Sequence, residues 1–436
     1  VKTEVWVGFC TLHGRTLFVL FREQVMRHSN RRRHEFRASI EQLESRLVPT
    51  TAKVEYRPNG GLNLVIQGSA LDDVINVRIG TDRMSIDGLS TGFRFSSFGG
   101  RVVIDGGDGK DIVTISGTSN HMFYIYGGKG DDSINGSANM DYIYGGSGKD
   151  TISGLGGGDQ IFGDKFETEN SQAVVVPALD ANDDVIHGGI GYDIIHGNGG
   201  TDKLYGDDDG DTLYTDIDYN GGPELLDGGK GNDWLDGSDA NLSGCRIVGG
   251  DGNDNIFGSP AADFLYGDGG SDTIRAGGGA DRVYGGASYD YLYGEAGNDT
   301  IVGGASDDTI DGGDNNDVIF GDEMSTKATS TDGIDTIYGQ KGNDVITCGG
   351  RRDRAYGGDG DDRIYGGDGN DDLNGGKGRD ALYGGIGLDS LYGNEDDDYL
   401  EGEEDADYLV AGSGANNKLY GRRFGQPNDP GDVLTR

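Results

Sequence analysis

Cysteine, positive charge and apolar side chains are all scarce in this chain of 436 residues. The three cysteines, Cys10, Cys245 and Cys348, are odd in number and show no metal-ligand spacing. They therefore indicate neither a disulfide framework nor a thiolate metal site. Lys and Arg total 36 against 76 Asp and Glu, for a formal net charge of -40. Phosphate backbones and anionic membranes repel such a chain, so nucleic acid is not expected as a partner and divalent cations are the natural counter-charge. Hydrophobic residues make up only 34%. With so much like charge, that is too little apolar surface to offset ordering entropy unaided. The apolar stretch at 5–21, VWVGFCTLHGRTLFVLF, is interrupted by His13, Gly14 and Arg15. It is too short and too broken for a membrane span, and makes a poor signal-peptide core.

Catalytic patterns are also missing. His34-Glu35 is not followed by the second His of a zinc protease, and no Gly-x-Ser-x-Gly elbow occurs. The phosphate-loop-like GGSGKDT at 145–151 carries Asp150 where Ser or Thr is needed. The chain is therefore not expected to be an enzyme. The alternative is an enzyme whose catalytic part is missing or unrecognised.

Glycine is abundant, at 84 residues, and it is periodic. Ten windows match Gly-Gly-x-Gly-x-Asp-x-(Val/Ile/Leu)-x, starting at Gly106, Gly127, Gly145, Gly188, Gly228, Gly249, Gly357, Gly366, Gly375 and Gly384. Degenerate units such as GSPAADFLY from Gly258 fill much of the space between them. Low-complexity linkers do not hold register over such a length, so the period argues for a fold that forms conditionally.

The spacing predicts a repeat region over 106–420, interrupted near 163–181, 215–227 and 321–330, and an irregular tail at 421–436. Ahead of it, 51–105 alternates apolar and polar residues and is expected to be a β-rich cap, with one nonapeptide, GSALDDVIN, already inside it. Residues 1–50 form a basic leader, with Met26 a candidate start. Phe36, Ile40, Leu43 and Leu47 have helical spacing before Pro49, so a short amphipathic helix is expected over 31–48.

A nine-residue unit divides into a six-residue turn and a three-residue strand. Glycine at places one, two and four opens backbone angles closed to residues with a Cβ. In the strand, the eighth side chain points inward while the seventh and ninth point outward. Two units make an 18-residue coil with a strand on each side. Stacked coils then give an all-β parallel β-roll, a solenoid of about fifteen to twenty coils with two sheets around a thin core. On that geometry Cys245 and Cys348 lie more than five coils apart, about 25 Å along the stack at the inter-strand spacing, beyond disulfide reach.

Sixth-place aspartates would then align about 4.8 Å apart along each edge. Neighbouring charges repel by about 1 kcal/mol in water and by several times that at an effective dielectric near 20. A thin core cannot absorb this along a whole stack. Calcium resolves the conflict, because it takes six to eight oxygens from carboxylates and backbone carbonyls in a flexible shell. The expected ligands are Asp111, Asp132, Asp150, Asp193, Asp211, Asp233, Asp254, Asp272, Asp290, Asp299, Asp308, Asp317, Asp344, Asp362, Asp371, Asp380 and Asp389. A separate loop, DIDYNGGPELLD, places Asp216, Asp218, Asn220 and Asp227 at EF-hand-like spacing, although Pro223 sits where such loops are usually apolar. Its plainer reading is an acidic surface excursion.

These nonapeptides resemble the RTX family of haemolysin-type calcium-binding repeats. The resemblance implies that aspartates eighteen residues apart share an ion: Asp132 with Asp150, Asp193 with Asp211, Asp254 with Asp272, Asp362 with Asp380, and Asp371 with Asp389. It also implies backbone carbonyls from the first, third and fifth places as further ligands. Phe123 in the sixth place, and Arg351 and Arg352 in the turn CGGRRDRAY, depart from the pattern, and those turns are expected to bind calcium poorly or not at all. The resemblance implies secretion and a structural or adhesive role for the rigid rod, with a cell-surface or matrix partner, or alternatively the repeat region of a secreted protease, lipase or polysaccharide-modifying enzyme. The stretch FRASIEQLESRLVPT resembles the N-terminal leaders of planctomycete exported proteins.

Tyrosine recurs in the ninth place, as in Tyr266, Tyr284, Tyr338, Tyr356, Tyr365 and Tyr383. Pairs eighteen apart would stack, either as a ladder stabilising the sheet or as a glycan-binding face. His187 and His196 share the ninth place and are expected to face solvent, with no metal or catalytic role.

Overall fold

A computed structural model describes residues 62–79, 83–86, 89–94, 101–117, 121–164, 182–216, 224–239, 244–323, 331–421 and 433–435, and before these the backbone course of four strands. The chain divides into two compact units, Val1–Tyr205 and Gly206–Arg436.

In the first unit, Val74–Ile79 pairs in parallel with Ile112–Gly117, which pairs with Ser133–Asn135, which pairs with Thr151–Gly156. Ile75, Val113, Ile134 and Ile152 lie opposite one another along this stack. A second stack runs from Leu62–Gln67 through Val102–Asp108, Phe123–Lys129 and Asp141–Ser147 to Gln160–Asp164, aligning Ile66, Ile104, Ile125, Ile143 and Ile161. Parallel pairing thus extends ahead of Gly106. Register also survives the 163–181 insertion, since Ile152 pairs with Ile186.

The second unit repeats the plan. One stack aligns Leu265, Val283, Ile301, Ile319, Ile346, Ile364, Leu382 and Leu400. The other aligns Ile256, Ile274, Leu292, Ile310, Ile337, Ala355, Leu373, Leu391 and Leu409. Consecutive nonapeptides therefore go to opposite sheets, as the eighteen-residue coil requires. Between them the units carry about 16 turns of parallel β-solenoid, and no helix occurs among the described residues. No helix there is long and apolar enough to cross a membrane.

Burial follows the pleat. In Asp141–Ser147 the sixth-place Asp141, the eighth-place Ile143 and the first-place Gly145 are buried, while Tyr142 and Tyr144 between them are half-exposed. The eighth-place aliphatics, such as Ile364, Leu373, Leu382 and Leu391, are fully buried.

Three expectations change. Many strands are longer than three residues, because the first three places of the next unit continue them, as in Arg363–Asp368 and Asp372–Lys377. The tail is not wholly irregular: Val433–Thr435 adds a parallel strand to Tyr408–Val410, and the Thr435 hydroxyl donates to the Leu409 carbonyl at 3.1 Å. The short helix over 31–48 is not found, since Arg31–Ser39 is assigned as a β-strand and 40–50 lie outside the described residues.

Candidate metal-binding turns

Glycine does two different jobs in the turn. At the second and fourth places it takes the left-handed region, as at Gly358 (φ +114°) and Gly360 (φ +151°). The first place does not. A Cβ on first-place Gly339 would instead lie 2.5 Å from both Asp344 Oδ2 and the Gly357 carbonyl oxygen. On Gly384 it would lie 2.5 Å from Asp389 Oδ2 and 2.6 Å from the Gly402 carbonyl. The expectation of unusual backbone angles at all three places is corrected: first-place glycine leaves space, and that space is lined by oxygens.

The sixth-place aspartates form ladders along each unit. The amide of Asp132 donates to Asp150 Oδ1 at 2.8 Å, Asp254 to Asp272 at 2.8 Å, Asp362 to Asp380 at 2.9 Å and Asp371 to Asp389 at 2.9 Å. Four of the five expected pairs are therefore brought together one coil apart. The fifth, Asp193 with Asp211, is divided between the two units. Within its own unit each joins a ladder: Asp159 donates to Asp193 Oδ1 at 2.6 Å, and Asp211 donates to Asp233 Oδ1 at 2.7 Å. Insertions do not break the ladder, as Asp308 reaches Asp335 and Asp317 reaches Asp344, both at 2.8 Å.

Oδ1 is satisfied by these bonds, and Oδ2 is not. It is buried without a hydrogen-bond partner in Asp111, Asp132, Asp150, Asp233, Asp254, Asp272, Asp290, Asp299, Asp308, Asp317, Asp344, Asp362, Asp371, Asp380 and Asp389. The same holds for Asp159, Asp184, Asp281, Asp335, Asp353 and Asp398, which the strict motif missed. Their units are degenerate in glycine, and reading the sixth place of every unit would have found them. Arg351 and Arg352 do not alter this at Asp353, although Cys348 fills the glycine's first place there.

Burial sets the electrostatics. It pushes Asp132 and Asp362 up to about 7, Asp150 and Asp389 to about 8, and Asp308 and Asp353 to about 9, against the lowering effect of the neighbouring amide. A buried polar oxygen left unsatisfied costs about 1–3 kcal/mol, and more when charged. A native domain has only about 5–15 kcal/mol of net stability. So many orphaned carboxylate oxygens require a cation or a proton.

Among the described residues no three His, Cys, Asp or Glu side chains converge as a metal cluster. A bound cation must therefore draw on backbone oxygens, and first-place carbonyls such as that of Gly357, beside Asp344 Oδ2, are placed to supply them. Hard oxygen donors, one charged oxygen per turn and adaptable backbone ligands fit calcium, whereas magnesium demands near-ideal octahedral geometry. On the outer edge of the turns, Lys129–Asp108, Lys341–Asp314 and Lys377–Asp359 pair at 3.0, 2.7 and 2.6 Å, well exposed to solvent.

The family model described as RTX calcium-binding nonapeptide repeat (4 copies) matches this chain at 124–152, 136–166, 180–213, 218–241, 246–274, 257–292, 266–301, 275–310, 293–323, 329–347, 349–382 and 383–417. The chain belongs to the RTX calcium-binding repeat family. A comparison with curated proteins finds no match.

Not all expected sites lie on the RTX ladders. Asp218 and Asn220 fall outside the described residues. Asp216 has a left-handed backbone (φ 60°), and Asp227 lies in the strand Glu224–Lys230, opposite Val248. Phe123 takes the sixth place with its side chain fully buried. The sixth places of two further turns hold Glu224 and Cys245, both buried, which the motif search did not reveal. Cys245 and Cys348 are free thiols. The ninth-place rings do stack: Tyr266 on Tyr284 at 5.0 Å, Tyr338 on Tyr356 at 5.1 Å and Tyr365 on Tyr383 at 5.0 Å. His196 lies on Phe162 at 4.9 Å and His187 on Tyr205 at 4.4 Å, so both histidines are rungs of these ladders.

Proposed function

We propose that the chain is a calcium-dependent structural protein, secreted and working at a cell surface or in a matrix, where folded repeats present a rigid scaffold. Calcium binding and folding are then one process, with a repelling acidic chain at low calcium and an ordered solenoid at extracellular calcium. The observation that carries this reading is the row of buried Asp Oδ2 atoms without partners, such as Asp132, Asp254 and Asp362, each beside a backbone carbonyl. We propose binding rather than catalysis as its role, because the repeat frame already accounts for the aspartates. Secretion rests on the family, whose members typically work outside the cell. Adhesion to a surface or glycan partner rests on the repeated, half-exposed aromatic rows.

The test is far-UV circular dichroism of chelator-treated protein as calcium is titrated in. A cooperative change from coil to β-structure at sub-millimolar to millimolar calcium, not reproduced by magnesium, supports the reading. A β-spectrum already complete in excess chelator at neutral pH overturns it.

A further inference from the structure

Three sixth-place aspartates differ from the rest. Asp73, Asp141 and Asp263 are buried, yet their Oδ2 atoms have partners. In each turn the second residue is serine rather than glycine: GSALDD, GSANMD and GSPAAD. The Ser69 amide donates to Asp73 Oδ2 at 2.5 Å, and the Ser137 and Ser259 amides donate to Asp141 and Asp263 Oδ2 at 2.6 Å. The Ser137 and Ser259 hydroxyls reach Oδ1 of the same carboxylates at 3.2 and 2.9 Å. Each serine oxygen also accepts from the amide two residues on, the local bonding that suits serine to turns. None of the three serines is left-handed, unlike the second-place Gly128, Gly250 or Gly358. These turns have a different shape and close on their own carboxylate.

Two of the three positions, Asp141 and Asp263, follow a rule. The coil before Asp141 has Phe123 in the sixth place, and the coil before Asp263 has Cys245. Neither can offer a carboxylate across the coil. At Asp263 the following coil also replaces its first-place glycine, with Ala276, and a Cβ on Gly258 would lie 2.7 Å from Asp263 Oδ2. The serine turn thus appears where a cation would lose a ligand.

We infer that the Gly-Ser turns at Ser69, Ser137 and Ser259 are built-in metal-free turns, in which a serine amide, with the hydroxyl at Ser137 and Ser259, replaces calcium on the carboxylate. This rests on the calcium reading above and refines it: the columns of ions are interrupted at defined coils. The electrostatic reason is that donors from the chain, the serine amide joined at Ser137 and Ser259 by the hydroxyl, satisfy a buried carboxylate as a cation would, with no ligand needed from the coil before.

The experiment counts calcium bound to the full-length chain by equilibrium dialysis, with circular dichroism to verify folding. Wild type is compared with D141N and D263N, and with D132N and D272N as ligand-deleting controls. D141N and D263N are expected to keep the wild-type count, while each control loses about one ion. A loss at D141N or D263N equal to that of the controls overturns the inference. Wild type binding no calcium removes the calcium reading, and this inference with it. Should an Asp→Asn variant fail to fold, S137G and S259G carry the test. Their calcium count must stay level or rise, and a fall would show that the serines support bound ions.

Discussion

The amide of Asp362 donates to Oδ1 of Asp380, one coil further on, at 2.9 Å, and Asp380 Oδ2 is left buried with no hydrogen-bond partner. One residue type thus provides both the inter-coil bond and an orphaned negative oxygen. The bond needs only a carbonyl-like acceptor, and asparagine offers one. The orphaned oxygen needs a cation, and asparagine does not attract it. D380N is therefore expected to fold in calcium but to lose about one bound ion and raise the calcium midpoint, with local affinity down by about an order of magnitude. Calcium titration followed by circular dichroism and ion counting checks this, and an unchanged midpoint would remove Asp380 from the ligands.

Acid should substitute for calcium. Burial holds the folded-state values of Asp132, Asp254, Asp362 and Asp380 near 7 and those of Asp150, Asp317 and Asp389 near 8, all above the ordinary carboxylate value of 3.8. A group whose folded-state value is raised stabilises the fold through its protonated form. That contribution is fully present below the unfolded value and is lost as pH rises through the folded one. In excess chelator, β-structure should therefore develop as pH falls from about 8 towards 4. With calcium present it should persist at neutral pH, and calcium binding near pH 7 should release protons. A pH series of spectra with and without chelator, plus pH-stat measurement of proton release, tests both halves.

Much of this architecture was legible from places six and eight alone. Ile or Leu at the eighth place and the period of nine lead to two sheets with an eighteen-residue coil, and Ile364 opposite Leu382 bears that out. The ladder partners of Asp132 and Asp371 were legible for the same reason. The distinction between Asp132 and Asp141 was not read. Both are sixth-place aspartates, and what separates them is which atom of a neighbouring residue donates to Oδ2, a matter of turn shape. Ser137 in the second place was the available signal. Likewise the turn of Asp353 was set aside for Arg351 and Arg352, whereas Arg351 takes the left-handed region itself, as Asn394 and Asp396 do in the turn of Asp398. The closing strand Val433–Thr435 lies beyond the period, and only its pairing with Tyr408–Val410 reveals it.

The two kinds of glycine should fail differently. Gly339→Ala puts a methyl group 2.5 Å from Asp344 Oδ2 and the Gly357 carbonyl, in the space between oxygens. It should cost about 1–3 kcal/mol of overpacking and also lower the calcium count. Gly358→Ala keeps that space but forces alanine to a φ of +114°, with a Cβ against the Gln340 backbone carbonyl. It should cost about 1–2 kcal/mol or more while leaving the count unchanged once folded. Thermal unfolding in saturating calcium measures the first quantity and equilibrium dialysis the second. Equal calcium counts in the two variants would refute the division of labour.

The aromatic rows admit a comparable separation. Tyr365 and Tyr383 stack with centroids 5.0 Å apart and planes 12° from parallel, and Tyr365 is 37% exposed. If the rows serve the sheet, Tyr365→Ala should cost about 0.5–1.5 kcal/mol through lost stacking, beyond the change in buried area. Tyr365→Phe should retain nearly all of that, because ring overlap does not need the hydroxyl. A surface that recognises sugars would respond in the opposite way, since the phenol hydroxyl supplies directional hydrogen bonds. Unfolding midpoints of both variants, set beside their retention on an immobilised polysaccharide column, distinguish the two roles. Stability lost only in the alanine variant marks a structural ladder. Retention lost in the phenylalanine variant, with stability intact, marks a binding face on the same strands.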